Sequence, residues 1–131
     1  MSTAIGGAWA PRVTRDVSLS EVRDLLEHPR RATIAFVDSG AVGVLPARAR
    51  CTVETHQFAI PSDAAPDLDA REVVLVVDDG SCGWFGLRGF SVRGVAARLE
   101  APASDASAGL AWYAIEPRRV LAWDYGAIRE A

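Results

Sequence analysis

From residue 32 onward the apolar residues recur at the period of an extended strand, in short runs separated by turn signals. That pattern limits the chain to a mainly β architecture. ATIAFV runs into Asp38-Ser39-Gly40, a turn signal, and AVGVLPARARCTVE follows, so the two segments read as a hairpin. Pro46 lacks an N–H for a ladder, which puts that stretch at a sheet edge or marks a bulge. QFAIP reads as a third strand, and SDAAPDLDA as a polar connection carrying Asp63, Asp67 and Asp69. In REVVLVVDDG the run VVLVV points to a fourth strand buried on both faces, and Asp78-Asp79-Gly80 to a turn. GWFGLRGFSVRGVAARLE reads as one long strand or two broken by Gly86 and Gly89, and APASDASAGL as a loop. AWYAIEPRRVLAWDYG reads as two strand segments parted by a turn at Pro117.

Ahead of these strands lies one good helix. In SLSEVRDLLEHP, Ser18 stands three residues before Glu21 as in a capping box, and Leu19, Val22, Leu25 and Leu26 share a face. Pro29 ends it. About six strands with short connections and little helix predict a six-stranded antiparallel β-barrel of Greek-key or meander path, with one or two short helices. At 131 residues the chain holds one core. Residues 1–17 read as a flexible arm and 18–131 as the barrel domain.

Composition narrows the function. The basic residues are all arginine, so lysine Schiff-base chemistry is excluded. With a net charge of −3 and scattered arginines, a nucleic-acid partner is not expected. No apolar run is long enough to span a membrane, and the first residues lack a secretory pattern, so the expectation is a cytoplasmic protein without a membrane partner. Cys51 and Cys82 form no CxxC pair, and His28 and His56 have no metal-ligand spacing, so free thiols and no metal site are expected. Nucleophile elbows, phosphate loops and dinucleotide fingerprints are absent, and no catalytic side chain stands out. Of the tryptophans at 9, 84, 112 and 123, core packing is the ordinary reading. Trp84 or Trp123 against a planar ring or a subunit interface is the other.

The stretch VLPARARC places Arg48 and Arg50 two apart, on one face of a strand and roughly 6.6 Å from each other. Two cations on one face either meet water at an edge or share an anion such as a phosphate.

Taken together, PRRATIAFVDSGAVGVLPARAR, EVVLVVDDG, FSVRGVAARLE and IEPRRVLAWDYG resemble the pyridoxamine 5′-phosphate oxidase-like family of FMN-binding split barrels, across about residues 18 to 126. The resemblance implies a split-barrel homodimer with cofactor clefts between subunits, binding FMN, a deazaflavin coenzyme or occasionally haem, and oxidising or reducing a small-molecule substrate by hydride transfer. It implies that Arg48 and Arg50 bracket the phosphate. The backbone near Ala49 and Ile60 would approach the ring, Ser62 after Ile60-Pro61 would keep a hydroxyl contact with the phosphate, and Trp84 stays a candidate for the ring from the reading above. Where the family has a basic residue after Ser or Thr, this chain has Ser62-Asp63 and further acids, which would repel a phosphate. The alternative is therefore a dimeric binding or structural module on the same fold that carries no cofactor.

Overall fold

The structure is a computed structural model, described here for residues 17–80, 88–100 and 109–124. A turn of 3-10 helix (Leu19–Val22) leads into a short helix α1 (Arg23–Glu27). The strands are β1 (Arg31–Asp38), β2 (Ala41–Pro46), β3 (Arg48–Cys51), β4 (His56–Pro61), β5 (Glu72–Asp78), β6 (Arg88–Leu99) and β7 (Leu110–Asp124). All pairings are antiparallel, in the order β2-β1-β5-β6-β7-β4-β3. The result is an open, curled sheet of seven strands rather than the six expected.

The extra strand comes from one bend. The sequence reads residues 41 to 54 as one strand segment with an edge or bulge at Pro46, yet it holds two strands, with Ala47 alone separating β2 from β3. Up to Ala47 this stretch bonds to β1, the last link being the Ala47 amide donating to the Ala32 carbonyl at 2.9 Å. From Arg48 it bonds to β4 instead, with Arg48 opposite Ala59. One piece of chain thus forms both edges of the sheet. Pro46 sits where a donor is not required, the edge position its chemistry predicts.

The β1–β2 hairpin turns at Ser39 and Gly40, with φ of 55° and 81°. Positive φ at both central residues is the geometry of the two-residue turns that match strand twist, and serine followed by glycine accepts it. The first turn of helix is held by Glu21, whose Oε2 accepts the Ser18 N–H at 2.7 Å. Val22, Leu25 and Leu26 on its apolar face are buried in the core. An ion pair fastens this helix to the sheet: Arg88 donates to both Asp24 oxygens, at 2.8 and 2.9 Å, and to the Glu21 carbonyl at 2.9 Å. The Arg88 guanidinium holds the Asp24 carboxyl below its usual range. That stabilisation is present at neutral pH and is lost as pH falls through the depressed value.

Inside the curl, Ile34, Phe58, Leu75, Phe90, Val92 and Tyr113 are fully or nearly fully buried. The run VVLVV does not have two buried faces. Val73, Leu75 and Val77 enter the core, while Val74 and Val76 on the outer face are half-buried. Around them the outer face is apolar and open, with Val37 57%, Val42 72% and Val44 60% exposed.

Pro117 makes no turn. It lies within the continuous strand β7, where Gly94 pairs with Pro117 and Arg93 with Arg119, leaving Arg118 as the extra residue of a bulge. β4 pairs with β7 only as far as Ala114, so at Pro117 the strand has a partner on one side alone, an edge position that tolerates proline. Gly94 is opposite. A Cβ there would run into the Glu116 carbonyl and lie 2.9 Å from Ile115 Cγ2. Because the obstacle is backbone, Gly94→Ala should cost about 1–3 kcal/mol, as overpacked sites do. Urea unfolding of the variant should show a lower midpoint at unchanged slope, and an unchanged midpoint would contradict this packing.

Candidate functional site

Strand register lays two rows of side chains across the outer face at the β3 end of the sheet. Arg48 is opposite Ala59, Ala59 opposite Trp112, and Trp112 opposite Leu99. Beside that row, Arg50 is opposite Gln57, Gln57 opposite Ala114, and Ala114 opposite Ala97. Arg48 and Arg50 are both exposed and head neighbouring rows, so they share a face, as their spacing predicts. Next to them in these rows stand small side chains, Ala97 exposed, Ala114 half-buried and Ala59 buried. Neighbouring strands are about 4.8 Å apart, so each row reaches about 14 Å from arginine to β6.

The other expected residues divide by the same alternation. Ala49 and Ile60 turn inward, Ala49 packing against the core and Ile60 2% exposed within it, so only their backbone is available to a ligand. Pro61 ends β4 on the exposed side, and the Ser62 N–H donates to the Gly109 carbonyl at 2.7 Å. Ile60, Pro61 and Ser62 line a small cavity of about 120 Å³ together with Asp67, Arg98 and Tyr113. Trp84 lies outside the described residues, as do Cys82 and Trp9.

Two of the connection's aspartates have structural partners rather than a purely solvated role. Tyr113 is buried, stacks on Phe58 at a centroid distance of 5.2 Å, and donates its hydroxyl to Asp67 Oδ1 at 3.2 Å. The same hydroxyl accepts the Leu68 N–H at 3.2 Å, and Leu68 is fully buried. Asp67 Oδ1 also accepts the Asp69 N–H at 3.0 Å, and Asp69 Oδ1 accepts the Arg98 N–H at 2.8 Å. Arg98 closes the group, its guanidinium 5.5 Å over the Tyr113 ring and 3.8 Å from Asp67. The bond from the Asp69 amide holds the Asp67 carboxyl below its usual range, with Tyr113 and Arg98 adding to it. These acids therefore pin the β4–β5 connection onto β6 and β7. Asp67 answers to Tyr113 and Arg98, which the register sets on the inner-face side of the ribbon, opposite the arginine rows.

Cys51 and His56 are cross-strand neighbours on the inner face, both buried. Burial pushes the Cys51 thiol up to about 11 and pulls the His56 imidazole below its usual value. Both are thus neutral at physiological pH, the opposite of an activated thiolate and imidazolium. Among the described residues no group of three or more His, Cys, Asp or Glu is placed to hold a metal. No helix there is long and apolar enough to cross a membrane.

Sequence reasoning missed the role of Trp112. It is only 2% exposed, yet it stands on the outer face, opposite Ala59 and Leu99, and not among the core residues. The signal lay in Trp112-Tyr113: neighbours in a strand face opposite ways, so both rings could not enter one core.

No protein-family model matches the chain, and no curated protein matches it in sequence. Solved structures do match in shape. The FAD-binding protein from Mycobacterium smegmatis is 17% identical, with a TM-score of 0.61 over 83% of this chain and 98% of that one. An FAD-binding protein from Mesorhizobium loti is 16% identical, with a TM-score of 0.56 over 84% and 96%. A candidate pyridoxamine 5′-phosphate oxidase from Listeria innocua is 12% identical, with a TM-score of 0.58 over 77% and 94%. The chain has the pyridoxamine 5′-phosphate oxidase-like split-barrel fold. The resemblance read from the sequence thus holds for the architecture, and a split barrel explains why one bent strand supplies both edges of the sheet.

The buried Cys51 of this split barrel should be inert while the fold persists. In native protein at pH 8, a peptide containing Cys51 should remain unalkylated by iodoacetamide, and should react fully in denaturant. Fast alkylation in the native state would contradict the burial.

Proposed function

We propose that this split barrel binds a flavin nucleotide, FMN or a deazaflavin coenzyme, on the outer face headed by Arg48 and Arg50, and acts as an oxidoreductase on a small molecule. The observation that carries this reading is the pairing of two exposed guanidiniums with the small side chains of Ala97 and Ala114 on the same face. One part suits a phosphate, the other a flat ring. Arg48 and Arg50 would hold the phosphate through charge-assisted hydrogen bonds. The small side chains of Ala97 and Ala114 would let the ring lie close to the strands, with the backbone at Ala49 and Ile60 near it. Pro61 and Ser62 would bound the phosphate end, and Trp84 would contribute from its own segment. The repulsion that Asp67 and Asp69 would exert on a phosphate is offset in part by Arg98, whose guanidinium lies 3.8 Å from Asp67 and whose amide donates to Asp69. When bound, the cofactor supplies the hydride chemistry, and the protein supplies position and a water-poor cleft.

The same reading includes a homodimer. Val37, Val42 and Val44 form an exposed apolar patch of one outer face, continuous across β1 and β2, of the kind that marks interaction surfaces. A second copy packed on that face would bury the patch and provide the other wall of the cleft.

The test is a titration of the purified chain with FMN and with the deazaflavin coenzyme, followed by changes in absorbance and fluorescence, beside a sizing measurement. Binding at micromolar or lower concentration by a dimer is expected. Each charge-assisted hydrogen bond contributes about 1.5–3 kcal/mol, so Arg48→Ala with Arg50→Ala should weaken FMN about 100-fold or more. No binding of either cofactor by a dimer would point to the module without a cofactor. Unchanged affinity in the double variant would remove the phosphate role.

A further inference from the structure

We infer that Arg93, Arg118 and Arg119 form a second anion site, on the outer face where β6 and β7 pair, and that it takes a compact dianionic oxyanion of the phosphate-monoester class. Register sets Arg93 of β6 directly opposite Arg119 of β7, and both are exposed. Residues so placed in antiparallel strands have Cβ atoms about 4.5–5.5 Å apart, and like charges there destabilise the pair. Among the described residues neither guanidinium has a hydrogen bond or an ion pair. A shared anion would turn the repulsion into binding.

The bulge in β7 adds the third cation. Between the pairs Gly94–Pro117 and Arg93–Arg119 the register shifts, so Arg118 and Arg119 together oppose Arg93. Arg118 Nη1 lies 3.7 Å from Glu72 Oε2, and Glu72 belongs to β5, on the far side of β6. Glu72 precedes the buried Val73 and Arg93 follows the buried Val92, so both point outward. Arg118 thus lies over the outer side of β6, with Arg93. The bulge itself is held by backbone packing, since Gly94 sits against the Glu116 carbonyl with no room for a Cβ.

The surrounding charges say what the site would accept. Glu72 and Glu116 stand in the next row, on either side of Val95. Among the described residues Glu116 has no ion pair, and the Arg118–Glu72 contact joins side chains 62% and 56% exposed, so it contributes little and yields to a stronger acceptor. The row of Arg93 and Arg119 holds no acid and continues through Val74, Ala35 and Val44. A carboxylate offers two oxygens and a single charge, enough for one guanidinium fork. A phosphate monoester offers three oxygens and nearly two charges, which suits the forks of Arg93 and Arg119 together with Arg118 as a third donor. Arg93 is also six residues along β6 from Leu99, which lies in the Arg48 row, so about 20 Å separates the two sites and one phosphate could not serve both.

The test titrates the full ¹⁵N-labelled chain with inorganic phosphate in exchange for chloride at constant ionic strength. The readouts are the Nε–Hε resonances of Arg93 and Arg119, each identified by its loss in the Arg→Gln variant. Both should move along one saturating curve, and should do so equally in a chain carrying Arg48→Ala and Arg50→Ala. Arg93→Gln should weaken the response of Arg119 about tenfold or more. Drift without saturation would mean counter-ions only and would overturn the inference. A response lost with Arg48 and Arg50 would overturn it too, as would resonances that follow protein concentration and ignore phosphate, which would give these arginines to carboxylates of a second copy. The titration of the unaltered chain decides even if a variant fails to fold, and its outcome is independent of whether FMN binds.

Discussion

The structure depends on one strand that changes partners. Residues 41 to 46 are bonded to β1, residues 48 to 51 to β4, and Ala47 between them gives its amide to Ala32. Without that exchange the sheet would end in two unrelated edges, and the curl that encloses Phe58, Leu75, Phe90 and Tyr113 would lose its tie. The exchange also fixes the proposed site. Because β3 sits at the sheet's end, its outward residues Arg48 and Arg50 are presented beside β4 and not enclosed between two ladders.

Inner and outer faces follow different rules. The inner face is filled with buried branched and aromatic side chains, down to a glycine at 94 where a methyl group would strike a carbonyl. The outer side carries exposed valines on β1 and β2 and small alanines on β6 and β7, with Ala59 and Trp112 buried between them and the arginines. Such a surface is poorly suited to water alone. A second subunit over the valines and a flat cofactor over the alanines would account for both parts of it.

Much of this was legible from local pattern. The hairpin at Ser39 and Gly40 follows from turn chemistry, the helix from Ser18, Glu21 and the Leu25 face, and the shared face of Arg48 and Arg50 from the period of two. What was not legible depended on distant partners. Pro46 signals an edge or a bulge beside Ala47, but not that the chain leaves β1 for β4, so a seventh strand was not counted. Pro117 carries the same signal in a turn as in a bulge, and only the placement of Gly94 opposite it decides between them. Asp67 and Asp69 read as solvated because Tyr113 and Arg98, which engage them, lie 46 and 29 residues further along or more. The run VVLVV shows that a strand is apolar on both sides without showing that a single chain covers only one of them.

Residue-resolved hydrogen exchange, with and without FMN, tests the central claim that the partner-switching strand both closes the sheet and carries the cofactor's phosphate. The Ala47 amide should exchange only through unfolding of the whole domain, and amides across residues 47 to 51 should slow further when FMN is added. An Ala47 amide that exchanges like a free loop, or FMN protection confined to strands away from β3 and β4, would contradict it.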